Sequence, residues 1–133
     1  MRLLLDTHVL LWWLAAEPRL STSQEQAIAG ALASGERLGL AAISFWEIAK
    51  LVEQGKLRLL RSIDQVFDEL DNHPQILALP LSSRVALEST RLGPRFHRDP
   101  ADQIIVATAR VHGLRLVTAD ERILQSATVS VVR

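Results

Sequence analysis

The chain has 133 residues, 48% of them hydrophobic and 23% charged, and this length predicts a single domain spanning residues 1–133. Fifteen Lys and Arg residues balance fifteen Asp and Glu residues, so the formal net charge is zero. This balance excludes proteins that grip nucleic acid through their overall charge, and any anionic ligand must be held locally.

Short apolar runs alternate along the chain with longer segments of helical periodicity. The runs typical of buried strands are Leu3–Leu5, Leu38–Ile43, Ile76–Leu79, Leu114–Val117 and Val129–Val132. The predicted helices are Val9–Ala16, Ser23–Ala33, Phe45–Gln54, Ile63–Asn72, Ser83–Leu92, Ala101–His112 and a short one near Glu121–Gln125. Strands that are apolar on both faces and alternate with helices predict an α/β fold, a three-layer α/β/α sandwich with a central, mostly parallel sheet.

The composition also indicates a cellular compartment. The chain has no cysteine, which excludes disulfides, thiolate zinc sites and cysteine nucleophiles. Asp6 and His8 interrupt the apolar start of the chain, so a secretory signal is not predicted. The longest apolar stretch, Val9–Ala16, is far shorter than the ~18 residues that cross a bilayer. We therefore expect a cytoplasmic protein that does not bind membranes.

Acidic residues follow or open the predicted elements at one edge of the sheet. Asp6 directly follows the first strand, and Asp120 lies three residues beyond the fourth. Glu47 and Asp102 lie near the starts of the third and sixth predicted helices. Ligands of doubly wound sheets bind at the carboxyl ends of the strands, so we expect these four carboxylates at one rim.

Helix capping is the alternative explanation for two of these segments. Ser44 with Glu47, and Thr118 with Glu121, have the spacing of a capping box. In that arrangement the hydroxyl accepts from the backbone at the third helical position, and the acid bonds back to the cap. The spacing alone does not separate this role from a functional one.

Capping also accounts for single acids elsewhere. Asp6 or Thr7 is a candidate cap of the first helix, and Asp99 is a good N-cap before a proline, with Asp102 at the positive end of that helix. A cap needs only a short polar side chain, so Ser, Thr or Asn would serve at Asp6, Asp99 and Asp120. The uniform use of carboxylates exceeds what capping requires.

Converging carboxylates need compensation. Two unit charges about 4 Å apart repel by roughly 4 kcal/mol at an effective dielectric near 20. A raised pKa, a nearby Arg or Lys, or a divalent cation compensates this repulsion, and lysine occurs only at Lys50 and Lys56. An all-oxygen site favours Mg²⁺ or Mn²⁺, ions that bind a phosphate oxygen and lower the pKa of an attacking water.

Four segments in a fixed order suggest a family. They are Leu5–His8 (LDTH), Ser44–Ala49 (SFWEIA), Arg98–Ala109 (RDPADQIIVATA) and Val117–Asp120 (VTAD). Together they resemble the successive motifs of PIN-domain ribonucleases, specifically toxins of the VapC type. The resemblance spans nearly the whole chain, and the ordered set is more specific than any one motif.

The resemblance implies a PIN-like fold and an endoribonuclease that hydrolyses RNA with Mg²⁺ or Mn²⁺. It also implies a cognate antitoxin and a homodimer. Asp6 would be the central metal ligand, Asp102 and Asp120 would bind directly or through water, and Glu47 would bind or orient the attacking water. The residues that would fix these carboxylates by hydrogen bonds are Thr7 and Thr118. Asp99 either joins the cluster or caps its helix, and capping is the favoured role.

A basic stretch precedes Asp99. Arg91, Arg95 and Arg98 lie there with His97 in a loop that contains Gly and Pro. A solvated charged loop is one interpretation. The other is a clamp for RNA phosphates, formed above all by Arg95 and Arg98, since arginine offers a bidentate fork to phosphate.

Histidine and tryptophan side chains have competing interpretations. His8 and His97 lie near acids, but lone histidines are more often hydrogen-bonded structural or surface residues than ligands or proton carriers. Trp12, Trp13 and Trp46 have the rings that stack on nucleobases. Each lies in an apolar helical run, which favours packing in the core or at a subunit interface.

Two functions of other classes remain as alternatives. A phosphorelay receiver domain also gathers acids and Mg²⁺ at this edge of a sheet. It requires an aspartate at the end of a middle strand, which neither Leu38–Ile43 nor Ile76–Leu79 offers promptly. A catalytically silent binding module with the PIN fold would retain the same residues without cleaving RNA.

Overall fold

The computed structural model describes residues 1–16 and 18–133. Its strands are β1 (Leu3–Leu5), β2 (Leu38–Ala41), β3 (Ile76–Leu79), β4 (Arg115–Val117) and β5 (Val131–Val132). Its helices are α1 (Thr7–Leu14), α2 (Thr22–Ala33), α3 (Ile43–Glu53), α4 (Ile63–Asp71), α5 (Ser83–Ser89), α6 (Pro100–His112) and α7 (Glu121–Ser126). The strands form one sheet in the order β3-β2-β1-β4-β5, and all four pairings are parallel.

Successive residues of a strand point to opposite faces of the sheet. Both faces of this sheet carry apolar side chains, and helices cover each of them. Leu3 and Leu5 of β1 join one core cluster, together with residues of α1 to α4. Leu4 joins a second cluster, together with residues of α6 and α7. The prediction of a three-layer α/β/α sandwich is therefore confirmed, with a wholly parallel sheet at its centre.

Most differences from the predicted elements lie at their ends. The second strand ends at Ala41 rather than Ile43, because α3 already begins at Ile43. The first helix begins at Thr7 rather than Val9, because Asp6 caps it. The longest described helix, α6, has 13 residues, and no helix in the described ranges is long and apolar enough to span a membrane.

Three aspartates cap helices, as capping preference predicts. Asp6 is the N-cap of α1, Asp99 of α6 and Asp120 of α7. The Asp99 carboxylate accepts from the backbone N–H of Asp102 at 3.2 Å. The Asp120 carboxylate accepts from the backbone N–H of Arg122 at 2.9 Å. These acids are thus held at helix starts that face the carboxyl edge of the sheet.

The two predicted capping boxes are wrong. Ser44 lies inside α3, whose N-cap is Ala42 without a side-chain hydrogen bond, so Ser44 and Glu47 do not cap it. Thr118 lies two residues before the N-cap of α7, so it does not pair with Glu121. The Ser44 hydroxyl instead accepts from the hydroxyl of Thr7, and the Thr118 hydroxyl donates to Asp6. The spacing alone did not distinguish these roles from capping.

Gly39 in β2 lies where two strands leave no room for a side chain. A Cβ at this position would lie 3.0 Å from the Leu3 carbonyl oxygen and 3.1 Å from the Met1 sulfur. Gly39→Ala is therefore expected to lower the free energy of unfolding by about 1 to 3 kcal/mol, as measured by urea denaturation. Gly30→Ala is the matched control, because a Cβ there meets nothing within 4 Å and α2 would gain helix propensity. Equal stability of the two variants would contradict the steric argument.

Candidate functional site

One cleft of about 160 Å³ lies at the carboxyl edge of the sheet, and we call it the acid cleft. Its lining residues are Asp6, Thr7, His8, Leu11, Glu47, Leu51, Asp99, Asp102, Asp120 and Arg122. They come from the segments that follow β1 and β4, from α1 and α3, and from the starts of α6 and α7. The structure thus brings together the four acids singled out from the sequence, with Asp99 and Thr7 beside them.

Asp6 is the most deeply buried of these acids, with 2% of its surface exposed. Its Oδ1 accepts from the backbone N–H of Thr7 at 2.8 Å, and its Oδ2 accepts from the Thr118 hydroxyl at 2.7 Å. Burial raises the pKa of Asp6 from 3.8 to about 6, although these two hydrogen bonds favour the charged form. A cation beside this carboxylate would relieve the cost of its buried charge.

Thr118 positions two acids at once. Its hydroxyl donates to Asp6 and accepts from the backbone N–H of Asp120 at 3.1 Å. Its carbonyl accepts from the side-chain amide of Gln24 in α2 at 3.1 Å. Gln24 is 2% exposed, and sequence reasoning missed it because a glutamine in an amphipathic helix carries no signal of this contact.

Thr7 links the first strand to α3. Its hydroxyl donates to the hydroxyl of Ser44 at 2.8 Å, and both residues are buried. Ser44 lies on the same helix as Glu47, so this bond fixes the start of α3 against the end of β1. Ser44 was noticed in the sequence only as a cap, and its role in joining two elements was missed.

Glu47 contributes a carboxylate oxygen that lacks a partner. Its Oε1 is buried and makes no hydrogen bond with any of the described residues. Burial raises the pKa of Glu47, the hydroxyl of Thr7 opposes this rise, and the neighbouring charges of Asp6 and Asp102 add to it. Because buried polar atoms nearly always have a hydrogen-bond partner, the unpaired oxygen indicates that a bound ligand supplies this partner.

Asp102 lies between a histidine and an arginine. Its Oδ2 lies 2.6 Å from Nε2 of His97 and 3.5 Å from Nη2 of Arg122. Burial raises the pKa of Asp102, while the hydrogen bond from His97 opposes this rise. His97 stacks on Phe96 with ring centroids 4.5 Å apart, so the imidazole is held in place beside the carboxylate.

Arg122 is a site residue that sequence reasoning missed. Its guanidinium lies 3.3 Å from Oδ2 of Asp120 and reaches Asp102 from the mouth of the cleft. Burial alone would raise the pKa of Asp120, but the hydrogen bonds and charge of Arg122 outweigh it and lower that pKa. The sequence did offer one signal for Arg122, which is its position two residues after Asp120 at the start of a predicted helix. The prediction of that helix did not consider where the Arg122 side chain points.

His8 is held in its neutral form. Its Nε2 accepts from the backbone N–H of Ala119 at 3.1 Å, so the ring proton lies on Nδ1, 3.5 Å from Oδ2 of Asp6. Burial lowers the pKa of His8, although the charges of Asp120, Asp102 and Glu47 oppose this. His8 therefore ties the loop after β4 to the start of α1.

The donor set fits a hard divalent cation. Ligand atoms of His97, Asp102 and Asp120 lie within 4.8 Å of one another, as do those of Glu47, Asp99 and Asp102. Asp102 belongs to both groups and Glu47 to the second, whereas Asp6 belongs to neither. Carboxylate oxygens at this density suit Mg²⁺ or Mn²⁺.

The structure does not bring the other candidate binding residues into the acid cleft. Arg95 and Arg98 are exposed and are absent from its lining. Trp12 and Trp13 pack partly buried against the core. Trp46 is 52% exposed, so of its two predicted places, the core or a subunit interface, the core is wrong, because α3 buries the opposite face of the helix.

The sheet and the acid cleft define an α/β/α protein with a candidate cation site at the carboxyl ends of its strands. The sequence matches the PIN domain family over residues 3–128, and the chain belongs to this family. It is 41% identical over 120 residues to ribonuclease VapC22 of Mycobacterium tuberculosis (strain ATCC 25618 / H37Rv), covering 90% of this chain and 88% of that protein. The family predicted from the sequence is confirmed, which replaces the alternative of a receiver domain.

Solved structures share the fold. A toxin–antitoxin complex from Klebsiella pneumoniae matches with a TM-score of 0.65 and 20% identity, covering 98% of this chain and 95% of that one. FitAcB from Neisseria gonorrhoeae matches with a TM-score of 0.65 and 23% identity over 98% and 96%. VapBC2 from Rickettsia felis, bound to a DNA fragment from its promoter, matches with a TM-score of 0.69 and 14% identity over 98% and 97%.

Proposed function

We propose that the protein is an endoribonuclease that hydrolyses RNA phosphodiester bonds with Mg²⁺ or Mn²⁺ and acts as the toxin of a toxin–antitoxin pair. One observation carries this proposal. Carboxylates from distant parts of the chain share the acid cleft, and one of their oxygens, Oε1 of Glu47, is buried without a partner. The similarity to a protein named as a ribonuclease supports the type of reaction.

The proposed cation ligands are Asp6, Asp102 and Asp120. Asp6 is the most rigidly held, because Thr118 and the backbone of Thr7 bind both of its oxygens. When bound, the cation would polarise the scissile phosphate and lower the pKa of the attacking water. Thr7 and Thr118 keep the Asp6 carboxylate in one orientation, as a preorganised site requires.

Glu47 is proposed to hold the attacking water and to accept its proton. Burial raises the pKa of Glu47, which brings a carboxylate closer to the range in which it exchanges protons at neutral pH. Attack of the water oxygen on phosphorus and departure of the 3′ oxygen would leave a 5′-phosphate and a 3′-hydroxyl. Arg95 and Arg98 are proposed to contact flanking phosphates on the loop before α6.

Arg122 is expected to have opposite effects on cation binding and on cleavage. Its positive charge competes with a cation for Asp102 and Asp120 and would also attract the substrate phosphate. Arg122→Ala should therefore bind Mn²⁺ roughly 3- to 10-fold more tightly, by calorimetry, yet cleave RNA more slowly. Arg122→Lys, which keeps the charge, is the control. Weaker Mn²⁺ binding by the alanine variant would contradict this competition.

The proposal is tested by incubating the purified protein with total RNA, with and without Mn²⁺. We expect cleavage that depends on the cation, stops with EDTA and leaves ends that require phosphatase treatment before 5′ labelling by a kinase. Cleavage unaffected by EDTA would favour a route in which a histidine takes a proton from the ribose 2′-hydroxyl. Cation binding without cleavage of any RNA would favour the catalytically silent binding module.

The proposed partners follow from the same assignment. The structural neighbours include complexes described as toxin–antitoxin assemblies, and we propose a cognate antitoxin and a homodimer for this chain. The proposed place of action is the cytoplasm, where such an enzyme meets its RNA. Co-purification of a tagged chain with a neighbouring gene product, and light scattering of the free protein, test the two assemblies.

A further inference from the structure

A second pocket adjoins the acid cleft on the side of α3, and we call it the Trp46 pocket. It has a volume of about 380 Å³ and is lined by Trp46, Glu47, Lys50, Leu51, Gln54, Asp99, Pro100 and Ala101. Three of these residues also line the acid cleft, namely Glu47, Leu51 and Asp99. A ligand that enters one depression is therefore within reach of the other.

Trp46 is unusual among the aromatic side chains. Within residues 1–16 and 18–133 it is the only aromatic residue among the exposed large hydrophobic side chains. The buried face of α3 carries Ser44 and Ile48, and Trp46 points away from both. An exposed indole beside a polar cleft is a surface for another flat, partly apolar group.

We propose that the Trp46 pocket holds one unstacked nucleobase of a single-stranded RNA, next to the phosphate that lies in the acid cleft. This assignment rests on the proposed function and names its substrate more closely. Pro100 and Ala101, at the start of α6, line the pocket with the indole. Stacking on an aromatic ring holds bases of any sequence, because every base has a π-face.

Lys50 supplies the positive charge that such a substrate needs. It lies one helical turn after Trp46 and lines the same pocket. Its ammonium pairs with Glu53 at 2.9 Å in an exposed i,i+3 contact, and such contacts contribute little to stability. Lys50 can therefore exchange this partner for a backbone phosphate when a base lies on Trp46.

The pocket also defines the form of RNA. Bases inside a duplex are stacked on their neighbours and paired, whereas loops and single strands can present a splayed base. A nucleobase that occupies the Trp46 pocket must be outside such a stack. We therefore expect the same RNA to resist cleavage when it is annealed to its complement.

A synthetic single-stranded RNA tests the proposal once its cleavage site in Mn²⁺ has been mapped. One abasic nucleotide is then placed in turn at each position around that site, and kcat/KM is measured for wild type, Trp46→Ala and Trp46→Phe. At one position we expect the abasic substitution to lower kcat/KM of the wild type roughly 5- to 100-fold. Trp46→Ala should show a similar loss with intact RNA and no further loss with the abasic one, while Trp46→Phe retains most activity.

Leu87→Ala is the matched control, because Leu87 is 50% exposed on α5 and lines neither depression. The proposal would be overturned if Trp46→Ala had the kcat/KM of the wild type. It would also be overturned if the loss in kcat/KM caused by Trp46→Ala added to the loss caused by the abasic nucleotide at every position. A change from dimer to monomer in light scattering of Trp46→Ala would overturn it as well, since a second copy would then cover the indole. A wild-type protein that cleaves no RNA would instead overturn the proposed function on which the pocket depends.

Discussion

Asp6→Asn is expected to lower RNA cleavage by roughly 1,000-fold or more while making the cation-free protein more stable at neutral pH. Asparagine keeps an oxygen that can accept from the N–H of Thr7 and remains a good N-cap for α1, although it loses the second oxygen, which accepts from the Thr118 hydroxyl. The fold should therefore persist. The charge that a cation requires is lost, and so is the cost of keeping that charge buried.

The sign of the stability effect follows from the raised pKa of Asp6. Between 3.8 and about 6 the folded protein binds a proton that the unfolded chain has released, so stability falls as pH rises through this window. Above pH 6 the loss is complete and amounts to about 3 kcal/mol. Below pH 3.8 both states are protonated and the effect disappears.

The measurement is the difference in melting temperature between Asp6→Asn and wild type in EDTA, from pH 4 to pH 7.5. We expect the variant to melt roughly 3 to 10 °C higher at pH 7.5, with the difference vanishing towards pH 4. Asp64→Asn, an exposed change in α4, should show no such trend. Undiminished cleavage by Asp6→Asn would remove Asp6 from the mechanism.

Saturating Mn²⁺ is expected to raise the melting temperature of the wild type at pH 7.5 and to do so much less at pH 5. A ligand that binds only the folded state at 100 times its dissociation constant stabilises it by about 2.7 kcal/mol. Burial raises the pKa of Asp6, Glu47 and Asp102, so protons compete with the cation as pH falls. We therefore expect cation binding to be strongest near pH 7.5, where the carboxylates of the cation-free site are charged and their burial costs the most free energy.

Differential scanning calorimetry with and without Mn²⁺ measures this effect at the two pH values. Asp6→Asn is the control, since it should gain little stability from Mn²⁺ at either pH. RNA cleavage by the wild type should decline over the same pH range. An equal Mn²⁺ shift at pH 5 and pH 7.5 would mean that these carboxylates do not hold the ion.

The fold was largely predictable because its strands are short, apolar on both faces and separated by helices. The bounds of β1 and β3 match the prediction, since charged or proline residues end both runs at Asp6 and Pro80. Helix starts were less predictable where a residue with two possible roles lay near them. Ser44 and Thr118 have the spacing of caps, but tertiary contacts with Thr7 and Asp6 determine their positions.

The acids of the site were predictable because strand ends in a parallel sheet meet at one edge. Arg122 and Gln24 were not, since their roles depend on the direction of a side chain from a helix that itself carries no unusual pattern. The exposure of Trp46 also required the structure. The period of α3 allows its apolar run to be buried on one face only, and the sequence does not say whether Trp46 lies on that face.

The order of the strands has a consequence for how activity arises during synthesis. β1 is made first, yet it occupies the middle of the sheet between β2 and β4, which follow it by more than 30 and 100 residues. The proposed RNA cleavage therefore needs nearly the whole polypeptide, because Asp6 gains its Thr118 partner only after residue 118 has been translated. We therefore expect a chain that is truncated before Thr118 to lack the proposed RNA cleavage.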